Sequence, residues 1–138
     1  MEELRELYQE LILDHNRNPK NFKKIKNTHT SEGYNPFCGD RINIYLQIED
    51  DHIKDISFDG VGCAISKASS SMMTEALKGK SLIEARKIFE KFQKIITGKI
   101  EADVTDKLSV FAGIREFPVR VKCAALSWHT MLEAISKK

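Results

Sequence analysis

Apolar residues recur near the start of this chain at the spacing of an amphipathic helix. They follow the i, i+3, i+4, i+7 pattern and predict a helix from about Glu3 to Asp14. Its apolar positions are Leu4, Leu7, Tyr8, Leu11 and Ile12. The helix is expected to stop at Asn18-Pro19, because a residue that precedes proline is disfavoured in the helical conformation. Residues 20–36 then predict an irregular or extended connector.

The period next changes to two, which is typical of a β-strand with one buried face. Isoleucine or leucine occupies every second position from Ile42 to Ile48, and Asp50-Asp51 predicts a tight turn after them. A second strand is predicted from Ile53 to Phe58, although Ile53 and Ile56 would fall on opposite faces of a regular strand. A β-bulge or a later strand start would resolve that mismatch. The connector is expected to add a third strand.

After the sheet the helical period returns and predicts two consecutive helices. The first runs from about Cys63 to Leu77, and Gly79 ends it. Ser81 is expected to cap the second helix, with Glu84 at the capping-box position, and Gly98 stops that helix.

The last part of the chain predicts one short and one long helix. Val104, Leu108 and Phe111 indicate a short helix within residues 99–117, which Phe117-Pro118 breaks. The final helix is predicted from about Lys122 to Ile135. A small antiparallel sheet of about three strands packed against several helices is an α+β fold. The 138 residues fit a single domain over residues 1–138.

Composition and charge exclude several classes of protein. The formal net charge of +2 is too small for a nucleic-acid-binding surface. No apolar stretch approaches the roughly 20 residues that cross a bilayer, and the start of the chain lacks the apolar run of a signal peptide. Three scattered cysteines are an odd number and do not suit a secreted disulfide framework. We therefore expect a cytoplasmic protein with neither a nucleic acid nor a membrane as partner.

Three cysteines and one aspartate are the candidate metal ligands: Cys38, Asp40, Cys63 and Cys123. Three thiolates and one carboxylate can complete a four-coordinate site for zinc or iron. Cys38 and Asp40 are two positions apart, so their side chains would share one face of an extended segment. Cys63 and Cys123 are predicted at or near helix N-termini, where free amide hydrogens lower the pKa of a thiol. Lys122 would lower the pKa of the Cys123 thiol further.

The same residues also admit a purely structural interpretation. A free cysteine is often a small buried apolar residue, and an aspartate after a glycine is typical of a turn. The gaps of 25 residues between the first two cysteines and 60 between the last two match no local zinc-finger spacing. None of the four histidines is expected to be a ligand: His15, His29, His52 and His129.

Taken together, the motifs resemble the U-type iron–sulfur cluster scaffold family over nearly the whole chain. The residues that carry the resemblance are Leu7-Tyr8-Gln9-Glu10 through Asn21-Phe22, then Asn35-Pro36-Phe37-Cys38-Gly39-Asp40, Phe58-Asp59-Gly60-Val61-Gly62-Cys63-Ala64-Ile65-Ser66, and Arg120-Val121-Lys122-Cys123-Ala124. Two features resemble the SUF-type branch. Lys122 stands where the branch that serves the ISC system usually has histidine, and residues 99–117 are similar to an extra segment that the SUF-type branch carries.

This resemblance implies a protein of iron–sulfur cluster assembly. It implies that Cys38, Asp40, Cys63 and Cys123 bind zinc or iron, and that a SufS-like cysteine desulfurase donates persulfide sulfur, with Cys38 as the expected acceptor. Arg120 would pair with the partner or with an inner carboxylate, and Lys122 would adjoin the site. Such a protein is not a conventional enzyme, although a zinc-dependent sulfurtransferase acting with the desulfurase fits it.

Two alternatives stay open at this point. In one, the same residues hold a transient [2Fe–2S] cluster that is delivered to recipient iron–sulfur proteins, since an oxygen ligand makes a cluster labile. In the other, zinc has a structural role in a protein-interaction module.

Overall fold

The computed structural model describes residues 2–101 and 106–136, with side chains from residue 9 onward in those ranges. The elements follow in the order α1 (Glu2–Arg17), β1 (His29–Asn35), β2 (Asp40–Glu49), β3 (His52–Val61), α2 (Ala64–Leu77), α3 (Leu82–Ile96), a 3₁₀ helix (Lys107–Ile114) and α4 (Pro118–Ser136). The predicted α+β class is confirmed. Within the described ranges, no helix has the length and apolar character needed to cross a membrane.

The three strands form one antiparallel sheet in the order β1-β2-β3. The third strand does come from the connector, where β1 pairs with β2 from His29 opposite Leu46 to Asn35 opposite Asp40. β2 and β3 are joined by the two-residue turn at Asp50 and Asp51, whose φ angles are 51° and 59°. Positive φ at both central residues is the geometry of a hairpin turn that matches the twist of its strands.

The irregular alternation in β3 has the first of the two causes that the sequence left open, a β-bulge. Ile48 pairs with Ile53 and Gln47 pairs with Asp55, so Lys54 is an extra residue without a partner across the ladder. Because the bulge shifts the alternation by one position, Ile53 and Ile56 are both fully buried.

The N-terminal caps of α2 and α3 lie at the residues where the sequence predicts these helices to begin. Cys63 is the N-cap of α2, and the side chain of Ser81 caps α3. The capping box is complete: Glu84 N–H donates to the Ser81 hydroxyl (3.1 Å), and Ser81 N–H donates to the Glu84 carboxylate (3.0 Å). α1 ends at Arg17, just before the predicted stop at Asn18-Pro19.

The predicted start of α4 is wrong by four residues. The helix begins at Pro118, not at Lys122, because the first helical position needs no backbone N–H and suits the fixed φ of proline. The short helix predicted before it is a 3₁₀ helix, which contains Leu108 and Phe111. Val104 lies outside the described residues.

The core lies between one face of the sheet and the helices. α4 packs against β1 and β2 on one side and against α2 on the other. A side chain at Gly33 of β1 would collide with Thr130 of α4, so the glycine lets the helix approach the sheet closely. Trp128 of α4 stacks on Phe92 at 4.5 Å and donates a hydrogen bond to the Ser69 hydroxyl of α2 (3.1 Å). This packing holds together the segments that carry the three cysteines.

Candidate metal centre

The hairpin between β1 and β2 carries Cys38 and Asp40. Asn35 and Asp40 are the last cross-strand pair, so residues 36–39 form the loop and Cys38 is its third residue. Gly39 has a φ of +70°, a conformation that glycine adopts without steric cost, and it returns the chain into β2. Asp40 is fully buried, whereas Cys38 is partly exposed on the loop.

The segment between β3 and α2 carries Cys63 beside Asp40. The Cys63 N–H donates to Asp40 Oδ1 (2.8 Å), and the Cys63 thiol accepts a long hydrogen bond from Ser66 N–H (3.5 Å). Two glycines make this approach possible. A Cβ at Gly60, whose φ is +126°, would collide with the Arg41 carbonyl, and a Cβ at Gly62 would lie 2.9 Å from Asp40 Oδ1.

α4 brings the last cysteine to the same place. Cys123 Sγ lies 2.9 Å from Cys38 Sγ, and both cysteines are free thiols. The donor atoms of Cys38, Asp40 and Cys123 all lie within 4.8 Å of one another. Cys63 lines the same cleft, of about 480 Å³, as Cys38 and Cys123. The structure thus groups the donor atoms of three of the four residues that the sequence singled out, and it places Cys63 beside them in the same cleft.

The electrostatic prediction for Cys123 is wrong. Burial, and then the neighbouring thiols of Cys38 and Cys63, raise the pKa of the Cys123 thiol instead of lowering it. The cause is the early start of α4, which places Cys123 in the second helical turn and in the interior, away from the free amide hydrogens. The predicted helix N-terminus at Cys63 is correct.

The residues present fit a thiophilic cation. Three sulfurs and one carboxylate oxygen are a donor set suited to zinc or to an iron–sulfur cluster. Buried groups that would carry negative charge together are costly unless a positive charge compensates them. A cation among Cys38, Asp40 and Cys123 would supply that charge.

Asn35 is a buried contact of this cluster that the sequence did not indicate. Its amide nitrogen lies 3.4 Å from Asp40 Oδ2 and 3.6 Å from Cys123 Sγ, and its amide oxygen accepts a hydrogen bond from Phe37 N–H (3.1 Å). The sequence predicts only a turn at Asn35-Pro36. Asparagine is common in turns because its side-chain oxygen can accept a hydrogen bond from the backbone N–H two residues later. This preference is the sequence signal that could have indicated the contact between Asn35 and Phe37.

Cations stacked on exposed aromatic rings surround the cluster, and we call this surface the cationic rim. It consists of the pairs Lys122 on Phe37 (4.6 Å), Arg120 on Phe117 (4.7 Å) and Arg41 on Tyr34 (5.3 Å). Phe37 is 72% exposed. Arg120 also lines the cleft that contains the cysteines.

Two of the histidines, His15 and His129, make contacts outside the group formed by Cys38, Asp40 and Cys123. His15 is buried against α2, where its ring contacts the Ser71 hydroxyl (2.6 Å) and the Glu75 carboxylate (3.4 Å), and its burial lowers its pKa. His129 packs edge-on against Phe89 of α3.

Comparisons with known proteins agree with this geometry. The sequence profile of the family described as NifU-like N terminal domain matches residues 7–136. The chain is 37% identical over 134 residues to the zinc-dependent sulfurtransferase SufU of Bacillus subtilis, covering 96% of this chain and 91% of that protein. It is also 37% identical over 133 residues to the iron–sulfur cluster assembly scaffold protein IscU of Thermotoga maritima, covering 95% and 94%.

A solved structure is similar throughout. It is a protein of Fervidobacterium islandicum AW-1, described as a candidate iron–sulfur cluster assembly scaffold for the SUF system. The two chains are 34% identical, with a TM-score of 0.86, over 96% of this chain and 98% of that one.

Proposed function

The chain belongs to the family of NifU-like N-terminal domains, and from that premise we propose that it serves iron–sulfur cluster assembly as a metal-binding acceptor of persulfide sulfur. One observation supports this function above all. Cys38 and Cys123, 85 residues apart in sequence, have their sulfurs 2.9 Å apart beside the buried Asp40, and Cys63 lines the same cleft.

We propose that zinc is held by Cys38, Asp40, Cys63 and Cys123. The donor set supports this assignment, as does the relative that is named a zinc-dependent sulfurtransferase. When bound, zinc supplies the positive charge that keeps the thiols deprotonated. Asp40 contributes the single hard oxygen donor, which is the more exchangeable partner for a soft cation.

Cys38 is the best candidate for the sulfur acceptor. It is partly exposed on a hairpin loop, whereas Cys123 is only 2% exposed within α4. Cys63 is also partly exposed, but its thiol is engaged as the N-cap of α2. Its thiolate attacks the outer sulfur of a cysteine persulfide on the partner, and the sulfur–sulfur bond of that persulfide breaks. The partner's cysteine leaves as a thiolate, and Cys38 keeps the transferred sulfur as a persulfide. Electron pairs balance without an external oxidant.

The persulfide donor is proposed to be a cysteine desulfurase that docks over the cationic rim. Arg120 and Lys122 flank the cleft and are held on exposed aromatic rings, so they offer positive charge and apolar surface side by side. Such a surface suits a partner that presents carboxylates around its own reactive cysteine. Charge reversal in Lys122→Glu is expected to weaken stimulation of the desulfurase. Lys54→Glu, at the opposite end of the sheet, is the matched control.

A second candidate function is a scaffold that holds a [2Fe–2S] cluster as cargo. The presence of one oxygen donor among three sulfurs favours it, because oxygen ligation makes a cluster easier to release. Relatives named as scaffold proteins support the same function. Recipient iron–sulfur proteins would then be the downstream partners.

One anaerobic experiment separates these functions. The protein is incubated with a cysteine desulfurase, cysteine and ferrous iron. Retained zinc, a persulfide on Cys38 detected by mass spectrometry and faster desulfurase turnover would support the sulfur acceptor. Visible cluster absorbance would support the scaffold. Neither signal would contradict both functions and leave a structural zinc site in an interaction module.

Single substitutions test the proposed ligands. We expect Cys38→Ala, Cys63→Ala and Cys123→Ala each to lose most of the bound metal, as measured by emission spectroscopy. Full occupancy in any one variant would remove that residue from the ligand set.

A further inference from the structure

We propose that Asn35 is a positioning residue of the metal centre, whose side-chain amide fixes the Cys38 loop and stabilises negative charge on Asp40 and Cys123. This inference rests on the metal-binding function proposed above and adds a residue to it. Asn35 is itself buried and is the last residue of β1, directly opposite Asp40.

The orientation of the amide follows from its partners. A backbone N–H can only donate, so the atom that faces Phe37 N–H at 3.1 Å must be the amide oxygen. The NH₂ group therefore points the other way, toward Asp40 Oδ2 at 3.4 Å and Cys123 Sγ at 3.6 Å. Its two hydrogens match these two acceptors, one each.

This arrangement connects three segments of the chain through one side chain. The oxygen of Asn35 holds the loop that carries Cys38, and the nitrogen contacts the start of β2 and the second turn of α4. Hydrogen bonds from N–H groups favour the charged forms of carboxylates and thiolates. Partners that orient ligands in this way commonly change metal affinity by about 10- to 100-fold when they are removed.

Neither aspartate nor serine supplies the same set of contacts at this position. Aspartate keeps the acceptor for Phe37 N–H but has no donor and brings a like charge beside Asp40. Serine can also accept from that N–H, as in a local side-chain turn, but it is too short to reach Cys123. Both variants therefore lack the N–H donor to Cys123 while keeping the loop contact.

The test measures Zn²⁺ affinity by competition with a chromophoric chelator, on the full chain of the wild type, Asn35→Ser and Asn35→Asp. The control is Asn43→Ser. Asn43 also donates a side-chain hydrogen bond, to Asp59 Oδ1 at 2.9 Å, but it alternates onto the other face of β2 from Asp40. We expect about 10- to 100-fold weaker Zn²⁺ binding in Asn35→Ser and a change of no more than about twofold in the control. In Asn35→Asp the added negative charge attracts the cation and opposes that loss, so this variant is judged by the spectroscopic readout described next.

A spectroscopic readout separates positioning from a general loss of stability. In protein loaded with Co²⁺, the thiolate-to-cobalt charge-transfer band of Asn35→Ser should shift to lower energy, because a sulfur without its N–H donor is easier to oxidise. The band of Asn43→Ser should not move.

The outcomes of these measurements distinguish the two proposals. If the wild type binds no stoichiometric Zn²⁺ or Co²⁺, the metal-binding function and the role of Asn35 both fail. If the wild type binds, Asn35→Ser keeps the wild-type affinity and neither Asn35 variant shifts the cobalt band, only the role of Asn35 is overturned. If Asn35→Ser does not fold, the cobalt band of Asn35→Asp decides, since that variant retains the loop contact and lacks the N–H donor to Cys123. A shift of that band to lower energy supports the role of Asn35, and an unshifted band overturns it.

Discussion

Gly62→Ala is a small substitution that should disturb the candidate metal centre through a single contact. The new Cβ would lie 2.9 Å from Asp40 Oδ1 and 3.3 Å from the side chain of Ser66, so the methyl group has no free direction to move. The φ of Gly62 is outside the left-handed region, so alanine adds no backbone strain there. The effect of the substitution therefore falls on Asp40.

The size of the displacement decides the outcome. Restoring an ordinary contact of 3.4 Å requires Asp40 Oδ1 to move by about 0.5 Å. Ligand atoms in metal sites lie within about 0.2 Å of their ideal distances, so this movement exceeds the tolerance. It also stretches the 2.8 Å hydrogen bond from Cys63 N–H. Hydrogen bonds to charged groups contribute about 1.5–3 kcal/mol, which corresponds to roughly 10- to 100-fold in affinity if the metal-bound state loses this bond.

The assay is Zn²⁺ competition with a chelator, alongside circular dichroism to verify the fold. Gly113→Ala is the matched control, because its Cβ would meet nothing within 4 Å and its φ is not in the left-handed region. We expect weaker Zn²⁺ binding in Gly62→Ala and unchanged binding in Gly113→Ala. Equal affinity in the two variants would refute the placement of the Asp40 carboxylate in the metal centre.

Three further predictions concern charge, packing and pH. Asp40→Asn should retain the fold but release Zn²⁺ to a chelator faster, because a neutral amide is the weaker ligand; an unchanged release rate would argue against ligation. Ser69→Ala should lower the free energy of unfolding by about 1–3 kcal/mol, because it removes the acceptor of the buried Trp128 indole N–H. The buried hydroxyl of Ser127 has no hydrogen-bond partner, so Ser127→Ala should lower the free energy of unfolding much less. Urea titration of both variants measures the difference. Burial lowers the pKa of His15 below its ordinary value of 6.5, so the folded state favours the neutral ring. The stability that the neutral ring contributes is fully present above pH 6.5, and it is lost as the pH falls through the lowered pKa of the folded state. When the pH is lowered from about 7 to about 5, the free energy of unfolding should therefore fall less in His15→Asn than in the wild type. An equal fall in the two proteins would contradict this prediction.

Local patterns in the sequence were sufficient for the sheet and for two helix starts. The alternation from Ile42 to Ile48 predicts β2, and the mismatch between Ile53 and Ile56 indicates either a bulge or a later strand start, of which the structure shows the bulge at Lys54. Ser81 and Glu84 predicted a capping box that the structure contains. These features depend on residues close together in sequence, which is why periodicity and capping rules reach them.

The start of α4 could not be decided from local rules. Proline both breaks a preceding helix and suits the first position of a new one, so Phe117-Pro118 is compatible with either outcome. The packing of α4 against the sheet and α2 selects the second, and it moves Cys123 from a helix end into the interior. Because Cys123 is buried there, its pKa is raised. The sequence places Cys123 near a helix N-terminus and therefore predicts the opposite direction.

The meeting of the cysteines depends on contacts between distant segments. Ser69 accepts a hydrogen bond from Trp128 and donates one to the carbonyl of Ala124, which locks α2 to α4 next to Cys123. No spacing rule within the sequence encodes such a contact, so the residue types suggest one four-coordinate site but cannot show that the four side chains meet. The contacts of Asn35 could not be predicted from the sequence, because its partners lie across the hairpin and on another helix.

The most direct measurement is X-ray absorption at the zinc edge on protein loaded with one equivalent of Zn²⁺. We expect three sulfur neighbours at about 2.3 Å and one oxygen neighbour at about 2.0–2.2 Å, supplied by Cys38, Cys63, Cys123 and Asp40. A first shell with one sulfur or none, or one dominated by histidine nitrogen, would show that these side chains do not share a cation.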